Sequence, residues 1–248
     1  MRILQPFYNT SLACPQKTRY NANRILHAQG ELMKKIAFFD IDGTLTSEID
    51  GSIPVSAIEA IRAARTNGNL MFINTGRCFQ NVEERFRSIG FDGLVCGCGT
   101  NIYCEDREIL HVSQTHDVTM ELLKAAQDAD LDILFESYKE VTFDRSRPLH
   151  DSEAIKLYRQ FASFDYHLPA PNTSPDFACD KFVTWFQKPA QLAEFRQVSD
   201  QYFTCIDRGG NFREYVPHGY SKATGIQYVL DHYGLRKEDA YVFGDSNN

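Results

Sequence analysis

The 248-residue sequence lacks a long apolar run and has no excess of basic residues. No apolar stretch approaches the roughly 20 residues that a helix needs to cross a bilayer, so a membrane-spanning helix is not expected. Lys and Arg number 26 against 33 Asp and Glu, which gives a formal net charge of −7. This charge argues against a nucleic-acid binder that relies on a broad basic face.

The sequence also lacks the regular cysteine spacing of a disulfide framework. Its seven cysteines stand at irregular intervals in a chain long enough to build a hydrophobic core. This pattern favours reduced thiols and a cytoplasmic protein. Cys96, Cys98 and Cys104 form no second Cys-x-Cys pair, so small buried side chains are a better interpretation than a metal site.

The first 32 residues differ in composition from the rest. They contain one acidic residue, Glu31, and show no sustained periodicity. Their basic residues are Arg2, Lys17, Arg19 and Arg24. We predict that residues 1–32 are a disordered extension or that Met33 is the natural first residue, with a targeting segment as the alternative.

Apolar runs alternate with helical spacing in the first part of the chain. The runs at 36–39, 70–73 and 93–96 predict buried strands with helices between them. The same rhythm returns near the end, where Ser221 predicts a helix cap and residues 240–243 predict another strand. This order predicts an α/β fold with a parallel sheet and right-handed crossovers.

Two helices are predicted between the first three strands. Ser56 and Glu59 form a capping-box pattern at the start of the first. Apolar residues at helical spacing over 79–89 predict the second, which Gly90 would end.

The middle of the chain has a different, α+β pattern. Its predicted elements are helices near 118–126, 154–161 and from 189, strands near 131–135, 182–186, 202–206 and 212–216, and a loop over 163–180. The last two strands predict a hairpin around Gly209-Gly210. The chain is therefore predicted as one α/β core, residues 33–113 and 217–248, interrupted by an α+β lobe, residues 114–216.

Paired carboxylates follow the first predicted strand. Asp40 and Asp42 stand where the run 36–39 gives way to a turn. In open α/β sheets, ligands bind at the carboxyl ends of the strands. The segment Thr75-Gly76-Arg77 follows the second strand and Asp245 the last, so these groups are expected to converge. Paired carboxylates can hold a divalent cation and still leave an oxygen to attack phosphorus.

Each converging residue suits one task of phosphoryl transfer. Asp40 is the candidate nucleophile, and Asp42 is placed to protonate a leaving oxygen and then activate water. Thr75 and nearby backbone N–H groups, including that of Gly76, can bind phosphoryl oxygens, and Lys222 can offset their charge. Asp40, Asp245 and a carbonyl of Asp42 would make an oxygen-rich Mg²⁺ site. Arg77 could bind substrate or pair with a carboxylate.

Four ordered motifs carry a resemblance to a known family. They are Asp40-Ile41-Asp42-Gly43-Thr44-Leu45, Thr75-Gly76-Arg77, Lys222 and Gly244-Asp245-Ser246-Asn247-Asn248. The sequence resembles a haloacid dehalogenase (HAD) superfamily phosphatase of the Cof-like, IIB type. The resemblance covers residues 33–248 and implies a Rossmann-like parallel-sheet core with an inserted α+β cap.

The resemblance also implies a reaction and site residues. The reaction is Mg²⁺-dependent hydrolysis of a small phosphate monoester, most commonly a sugar phosphate in this family, through an aspartyl-phosphate. Asp40, Asp42 and Asp245 would surround the metal, and Asn248 would support the phosphate or the metal's surroundings. The sequence stops at Asn248, where the family continues with an Asp at residue 249, so we expect a C-terminally truncated core.

Two other functions stay open on the residues alone. The same acid/base pair serves a phosphotransferase such as a phosphomutase, and the early stop suits a non-catalytic phosphate-binding regulatory protein. The expected partner is a small-molecule phosphate ester, without nucleic acid or membrane.

Overall fold

The computed structural model describes residues 34–47, 49–163 and 176–245. Its strands are β1 (Ile36–Phe39), β2 (Leu70–Asn74), β3 (Gly93–Cys96), β4 (Asn101–Cys104), β5 (Arg107–His111), β6 (Asp132–Glu136), β7 (Val141–Phe143), β8 (Lys181–Trp185), β9 (Phe203–Asp207), β10 (Phe212–Pro217) and β11 (Ala240–Phe243). Its α-helices are α1 (Val55–Thr66), α2 (Glu84–Arg87), α3 (His116–Asp128), α4 (Ser152–Ser163), α5 (Pro189–Ser199) and α6 (Lys222–Tyr233). The predicted extension 1–32 and Asn248 lie outside the described residues.

The first sheet has the strand order β11-β1-β2-β3-β4-β5. Its first three pairings are parallel, with Ile36 in register with both Leu70 and Ala240. This confirms the predicted α/β fold and its parallel sheet. The antiparallel hairpin of β4 and β5 was not predicted, and it extends the sheet beyond β3.

The continuous apolar runs of the central strands are explained by burial on both faces. Met71 and Ile73 of β2 pack into one cluster with Ile61 of α1. Leu70 and Phe72 alternate with them and pack into a second cluster with residues of α6. Because successive side chains of a strand point to opposite faces, helices on both sides require an uninterrupted apolar strand.

Helix α6 begins and ends as predicted. The Ser221 hydroxyl accepts a hydrogen bond from the Thr224 N–H at 3.1 Å, and Gly234 ends the helix in the left-handed conformation at φ 66°. A side chain at Gly225 would place its Cβ 2.5 Å from Val95 Cγ1. Glycine therefore allows α6 to lie close against β3. This close packing brings the first turn of α6 toward the ends of the strands.

Two predicted helix features are wrong. Helix α1 begins at Val55 after Pro54, without a side-chain cap, so Ser56 and Glu59 do not form the capping box at its start. The predicted helix over 79–89 is broken into a 3₁₀ turn, Phe79–Asn81, and the single turn of α2. Val82 lies between them with extended backbone and no exposed surface. Burial of this β-branched side chain takes precedence over helix continuity.

The second sheet lies between β5 and α6 in the sequence and is antiparallel throughout, in the order β7-β6-β8-β10-β9. We call these five strands the inserted sheet. Strands β9 and β10 form the hairpin predicted around Gly209-Gly210, both of which have positive φ. The limits 114–216 for the inserted lobe stay a prediction, and part of the predicted loop 163–180 lies outside the described residues.

The two faces of the inserted sheet pack against different helices. Phe135 and Phe182 belong to a cluster that includes Leu122 of α3 and Phe195 of α5. Leu134 and Val183 point to the other face and join Ala154 and Phe161 of α4. Each strand therefore contributes side chains to two separate environments. None of the helices in the described parts of the chain is long and apolar enough to span a membrane.

Candidate active site

Asp40 lies at the end of β1 and is 7% exposed. Its backbone N–H donates to the Phe243 carbonyl at 2.9 Å, which extends the pairing of β1 with β11 by one residue. Its Oδ1 accepts from the Ile41 N–H at 2.8 Å, and its Oδ2 accepts from the Lys222 ammonium. Lys222 is 9% exposed, so the ion pair lies in a largely desolvated position.

The chain turns sharply after Asp40. The turn covers Ile41–Leu45, and Gly43 adopts φ 71° within it. The Leu45 N–H donates back to the Asp40 carbonyl at 3.2 Å. The turn moves the Asp42 side chain away from the sheet, where it is 65% exposed. Two carboxylates that are two residues apart therefore have different surroundings.

Arg77 contacts the Asp42 carboxylate through two hydrogen bonds. Its Nη2 lies 2.6 Å from Oδ1 and its Nε 2.9 Å from Oδ2, and its Nη1 lies 3.1 Å from Glu83 Oε1. Burial opposes the charge on Arg77, but bonds to Asp42 and Glu83 outweigh it and raise the pKa of the guanidinium. Of the two roles considered for Arg77, the structure shows carboxylate pairing.

Thr75 is fully buried at the end of β2. Its N–H donates to the Val95 carbonyl at 2.8 Å, and its hydroxyl accepts from the Arg77 N–H at 3.2 Å. These bonds hold the loop that follows β2. Gly76 and Arg77 line the cleft beside Asp40, whereas Thr75 is not among the lining residues. The predicted phosphate-binding position Asn248 lies outside the described residues.

Asp245 follows β11 and lines the same cleft as Asp40. A Cβ built on Gly43 would lie 2.6 Å from Asp245 Oδ2, closer than real Cβ contacts. The absent side chain of Gly43 therefore makes room for the Asp245 carboxylate against the turn. A Cβ on Gly244 would lie 3.8 Å from Asp40 Cβ, so the ends of β1 and β11 adjoin.

The donors at this edge are oxygens, which suit Mg²⁺. In the described part of the chain, no group of three or more His, Cys, Asp or Glu side chains is arranged to hold a metal ion. The predicted site needs only two carboxylates, those of Asp40 and Asp245, with the Asp42 carbonyl. The Asp42 carboxylate is directed to Arg77 instead. The oxygen donors, and the space that Gly43 leaves for Asp245, fit a divalent cation.

These residues open into a cleft of about 420 Å³ between the first sheet and the inserted sheet. The first sheet, its loops and the start of α6 contribute Asp40, Asp42, Gly76, Arg77, Lys222 and Asp245. The inserted sheet, its turn between β9 and β10, and α4 contribute the apolar residues Leu134, Leu157, Phe161, Val183 and Phe212 and the charged residues Glu136, Lys181, Arg208 and Glu214. The volume is typical of a site for a small molecule.

The sequence reasoning missed the four charged residues of the inserted sheet. Lys181 Nζ lies 2.9 Å from Glu136 Oε2, 2.5 Å from Glu214 Oε1 and 2.9 Å from the Gly76 carbonyl. Arg208 pairs with the other oxygen of Glu214. Charged residues facing one side of otherwise apolar strands were the signal that could have identified them.

The charges of this network are set by burial and pairing. Burial opposes ionisation of Glu214, but Lys181 and Arg208 lower its pKa to about 2. Burial also raises the pKa of Glu136, an effect that Lys181 only partly offsets. The two carboxylates raise the pKa of Lys181 against the effect of burial. The lysine is therefore a fixed positive charge where the inserted sheet meets the Gly76 loop.

Comparison with known proteins assigns the family. The sequence matches the haloacid dehalogenase-like hydrolases over residues 37–248, which is most of the chain. The chain therefore belongs to the haloacid dehalogenase-like hydrolases.

Two curated relatives carry phosphatase names. A protein of Streptococcus pyogenes serotype M6, provisionally named a bifunctional phosphatase/peptidyl-prolyl cis-trans isomerase, is 26% identical over 94% of this chain and 46% of its own length. The chain thus spans about half of that relative. A Bacillus subtilis (strain 168) protein, provisionally named phosphatase YkrA, is 25% identical over 86% of this chain and 80% of its own.

A solved structure agrees on the fold. A sugar phosphatase of HAD subclass IIB superposes with a TM-score of 0.68 at 19% identity, over 84% of this chain and 80% of its own. At this identity the likeness concerns the fold alone. The family match and the shared fold agree on a haloacid dehalogenase-like hydrolase.

Proposed function

We propose that this chain hydrolyses small phosphate monoesters through an aspartyl-phosphate on Asp40, with Mg²⁺ as cofactor. The observation that carries the proposal is the buried ion pair between the Asp40 carboxylate and the Lys222 ammonium inside the cleft. A carboxylate held at a strand end beside a fixed cation is suited to attack an anionic phosphoryl group.

The reaction has two steps. In the first, an Asp40 carboxylate oxygen bonds to phosphorus as the ester bond breaks, and Asp42 donates a proton to the leaving oxygen. In the second, Asp42 takes a proton from water, the water oxygen bonds to phosphorus, and the bond to Asp40 breaks to release inorganic phosphate. The 65% exposure of the Asp42 side chain supports this role, because both water and the leaving group can reach it.

Other residues bind the phosphoryl group and offset its charge. Lys222, already beside Asp40, would neutralise a phosphoryl oxygen, and Gly76, which lines the cleft, could donate its N–H to another. Thr75 is fully buried and does not line the cleft; its hydroxyl accepts from the Arg77 N–H and so holds the loop that carries Gly76.

Asp40, Asp245 and the Asp42 carbonyl would hold Mg²⁺. When bound, the cation would neutralise charge on the phosphoryl group. The chain's own contribution is to keep Asp245 against the turn at Gly43, so that two carboxylates face one cleft.

The inserted lobe is proposed as a cap. Its residues form the side of the cleft opposite Asp40 and Lys222. The hydrogen bond from Lys181 to the Gly76 carbonyl would fix the position of the cap on the loop after β2. A cap in this position would exclude water from Asp40 during the first step.

The test is hydrolysis of p-nitrophenyl phosphate by the wild type and Asp40→Asn, with Mg²⁺ and with a chelator. We expect Asp40→Asn and chelation each to lower turnover by about 10³-fold or more. Asp231→Asn is the matched control, because this carboxylate accepts from Gln227 on the surface of α6, and it should retain full turnover. Turnover that survives in Asp40→Asn would overturn the assignment of Asp40 as the nucleophile. Phosphate that appears on an added sugar acceptor would indicate phosphoryl transfer instead of hydrolysis.

A further inference from the structure

The cleft face of the inserted sheet is divided into a charged end and an apolar end. Side chains two apart on a strand share a face, so β6 presents Leu134 and Glu136 and β8 presents Lys181 and Val183. Glu136 is in register with Lys181, and Leu134 with Val183. On β6 and β8 charge therefore pairs with charge and apolar with apolar, whereas on β10 Glu214 is in register with Val183 and Phe212 with Trp185.

The charged end is occupied by its own contacts. An ammonium group has three N–H donors, and Lys181 has three acceptors, in Glu136, Glu214 and the Gly76 carbonyl. Glu214 receives Lys181 and the Cys98 thiol on one oxygen and Arg208 on the other. Breaking such buried pairs to bind a substrate hydroxyl would leave a desolvated charge.

The apolar end forms a continuous surface. Leu134 and Val183 are buried in the sheet, Phe212 is half-buried on β10, and α4 contributes Leu157 and Phe161. All five side chains line the cleft that also contains Asp40. We call these five residues the apolar wall.

We propose that the substrate is a phosphate monoester whose leaving group is an apolar ring, preferably aromatic, packed against the apolar wall. This rests on the proposed function. A ring would bury apolar surface chiefly on the half-buried Leu157 and Phe212, because Leu134, Val183 and Phe161 are already 9% exposed or less. A polyhydroxylated chain in the same place would lose water from its hydroxyls without gaining hydrogen-bond partners. The wall therefore selects against sugar phosphates.

The first experiment compares 2-phenylethyl phosphate with sorbitol 6-phosphate. Both are esters of primary alcohols, so the chemical step has a similar leaving group in each. We expect kcat/KM to be about 10-fold or more higher for the ring ester. Equal values, or a preference for sorbitol 6-phosphate, would overturn the proposed substrate class.

The second experiment compares Leu157→Ala with Leu192→Ala. Both leucines are half-buried on helices, Leu157 on the cleft face of the inserted sheet and Leu192 in the cluster on its other face. We expect Leu157→Ala to raise KM for 2-phenylethyl phosphate about 5-fold and to leave sorbitol 6-phosphate nearly unchanged. Leu192→Ala should leave KM unchanged for both esters. An equal rise in KM for both esters in Leu157→Ala, at unchanged melting temperature, would refute the proposed binding of the ring to the apolar wall.

The two proposals fail in different ways. If p-nitrophenyl phosphate is hydrolysed through Asp40 but kcat/KM is equal for sorbitol 6-phosphate and the ring ester, the proposed substrate class is wrong and the phosphatase proposal stands. If no ester is hydrolysed, or Asp40→Asn is as active as the wild type, the proposed function is wrong and the substrate class falls with it.

Discussion

Arg77 binds both carboxylate oxygens of Asp42, across 35 residues of sequence, at 2.6 and 2.9 Å. The guanidinium also donates to Glu83 at 3.1 Å, so it lies between two carboxylates. The loop after β2 therefore positions the side chain that we propose as the general acid and base. Arg77 acts here as a positioning residue for Asp42.

The Arg77→Met variant should lower kcat for phosphate esters by about 10-fold or more, because Asp42 would no longer be held in one orientation. The pH dependence of kcat should change in Arg77→Met, which a purely structural role would not cause. Arg85→Met is the matched control. Arg85 also pairs with Glu83 but has no bond to Asp42, so its loss should leave kcat and the pH profile unchanged. Similar kinetics in the two variants would contradict the positioning role.

The Gly43→Ala variant should weaken Mg²⁺ binding. The added Cβ would lie 2.6 Å from Asp245 Oδ2 and displace that carboxylate. Gly51→Ala is the control: its φ of 68° gives comparable backbone strain, about 1–2 kcal/mol, but its Cβ would meet nothing within 4 Å. Calorimetric titration with Mg²⁺ should show weaker binding in Gly43→Ala only. Equal affinities would argue against Asp245 as a ligand.

Removal of Lys181 should strongly destabilise the fold. The Lys181→Met variant leaves Glu136 and Glu214 buried on one face without their shared ammonium. Such losses cost about 3–5 kcal/mol, which urea unfolding would measure. Lys156→Met removes an exposed lysine paired with Glu153 within α4 and should cost less than about 1 kcal/mol. A similar small loss in both variants would show that the network adds little to stability.

His111 should make stability depend on pH. Its Nε2 lies 3.0 Å from Asp180 Oδ1, and this hydrogen bond, opposed by burial, raises the pKa of His111 above its ordinary value of 6.5. A raised pKa means that protonated His111 stabilises the fold below about pH 6.5, and that this contribution is lost as pH rises through the folded-state pKa.

The Asp180→Asn variant tests this coupling. Its free energy of unfolding should fall below that of the wild type most at pH 6, and the difference should shrink by pH 9. A proton NMR titration should show a lower pKa for His111 in the variant. A difference in stability that is constant with pH would contradict the ion pair.

Much of the first sheet could be predicted from the sequence. The runs at β1, β2 and β3 are apolar because both faces of each strand are covered. The run at β11 also forms a strand, but at the edge of the sheet, where Tyr241, Val242 and Phe243 are exposed. Helix α6 could be predicted from Ser221 and Gly234 because caps depend on local geometry. The hairpin of β4 and β5 was missed because its short strands lack a continuous apolar run. The break at Val82 was missed because a buried contact overrides helical periodicity.

The candidate site was also only partly predictable. Asp40, Asp42, Lys222 and Asp245 all line the cleft, but their roles, the Mg²⁺ dependence and the cytoplasmic location stay predictions. The cleft face of the inserted sheet was not predicted, since alternate positions on β6, β8 and β10 acquire meaning only once their register is known.

The sequence by itself determined where two carboxylates follow a buried strand and where the parallel α/β rhythm stops and resumes. Those features depend on neighbouring residues, through strand burial, turn chemistry and helix caps. Only the tertiary structure decided which distant groups meet: the Lys222 ammonium with the Asp40 carboxylate across 182 residues, and the Lys181 ammonium with the Gly76 carbonyl across 105. Contacts at such separations depend on sheet register and on how the inserted sheet packs over the first, neither of which local sequence specifies.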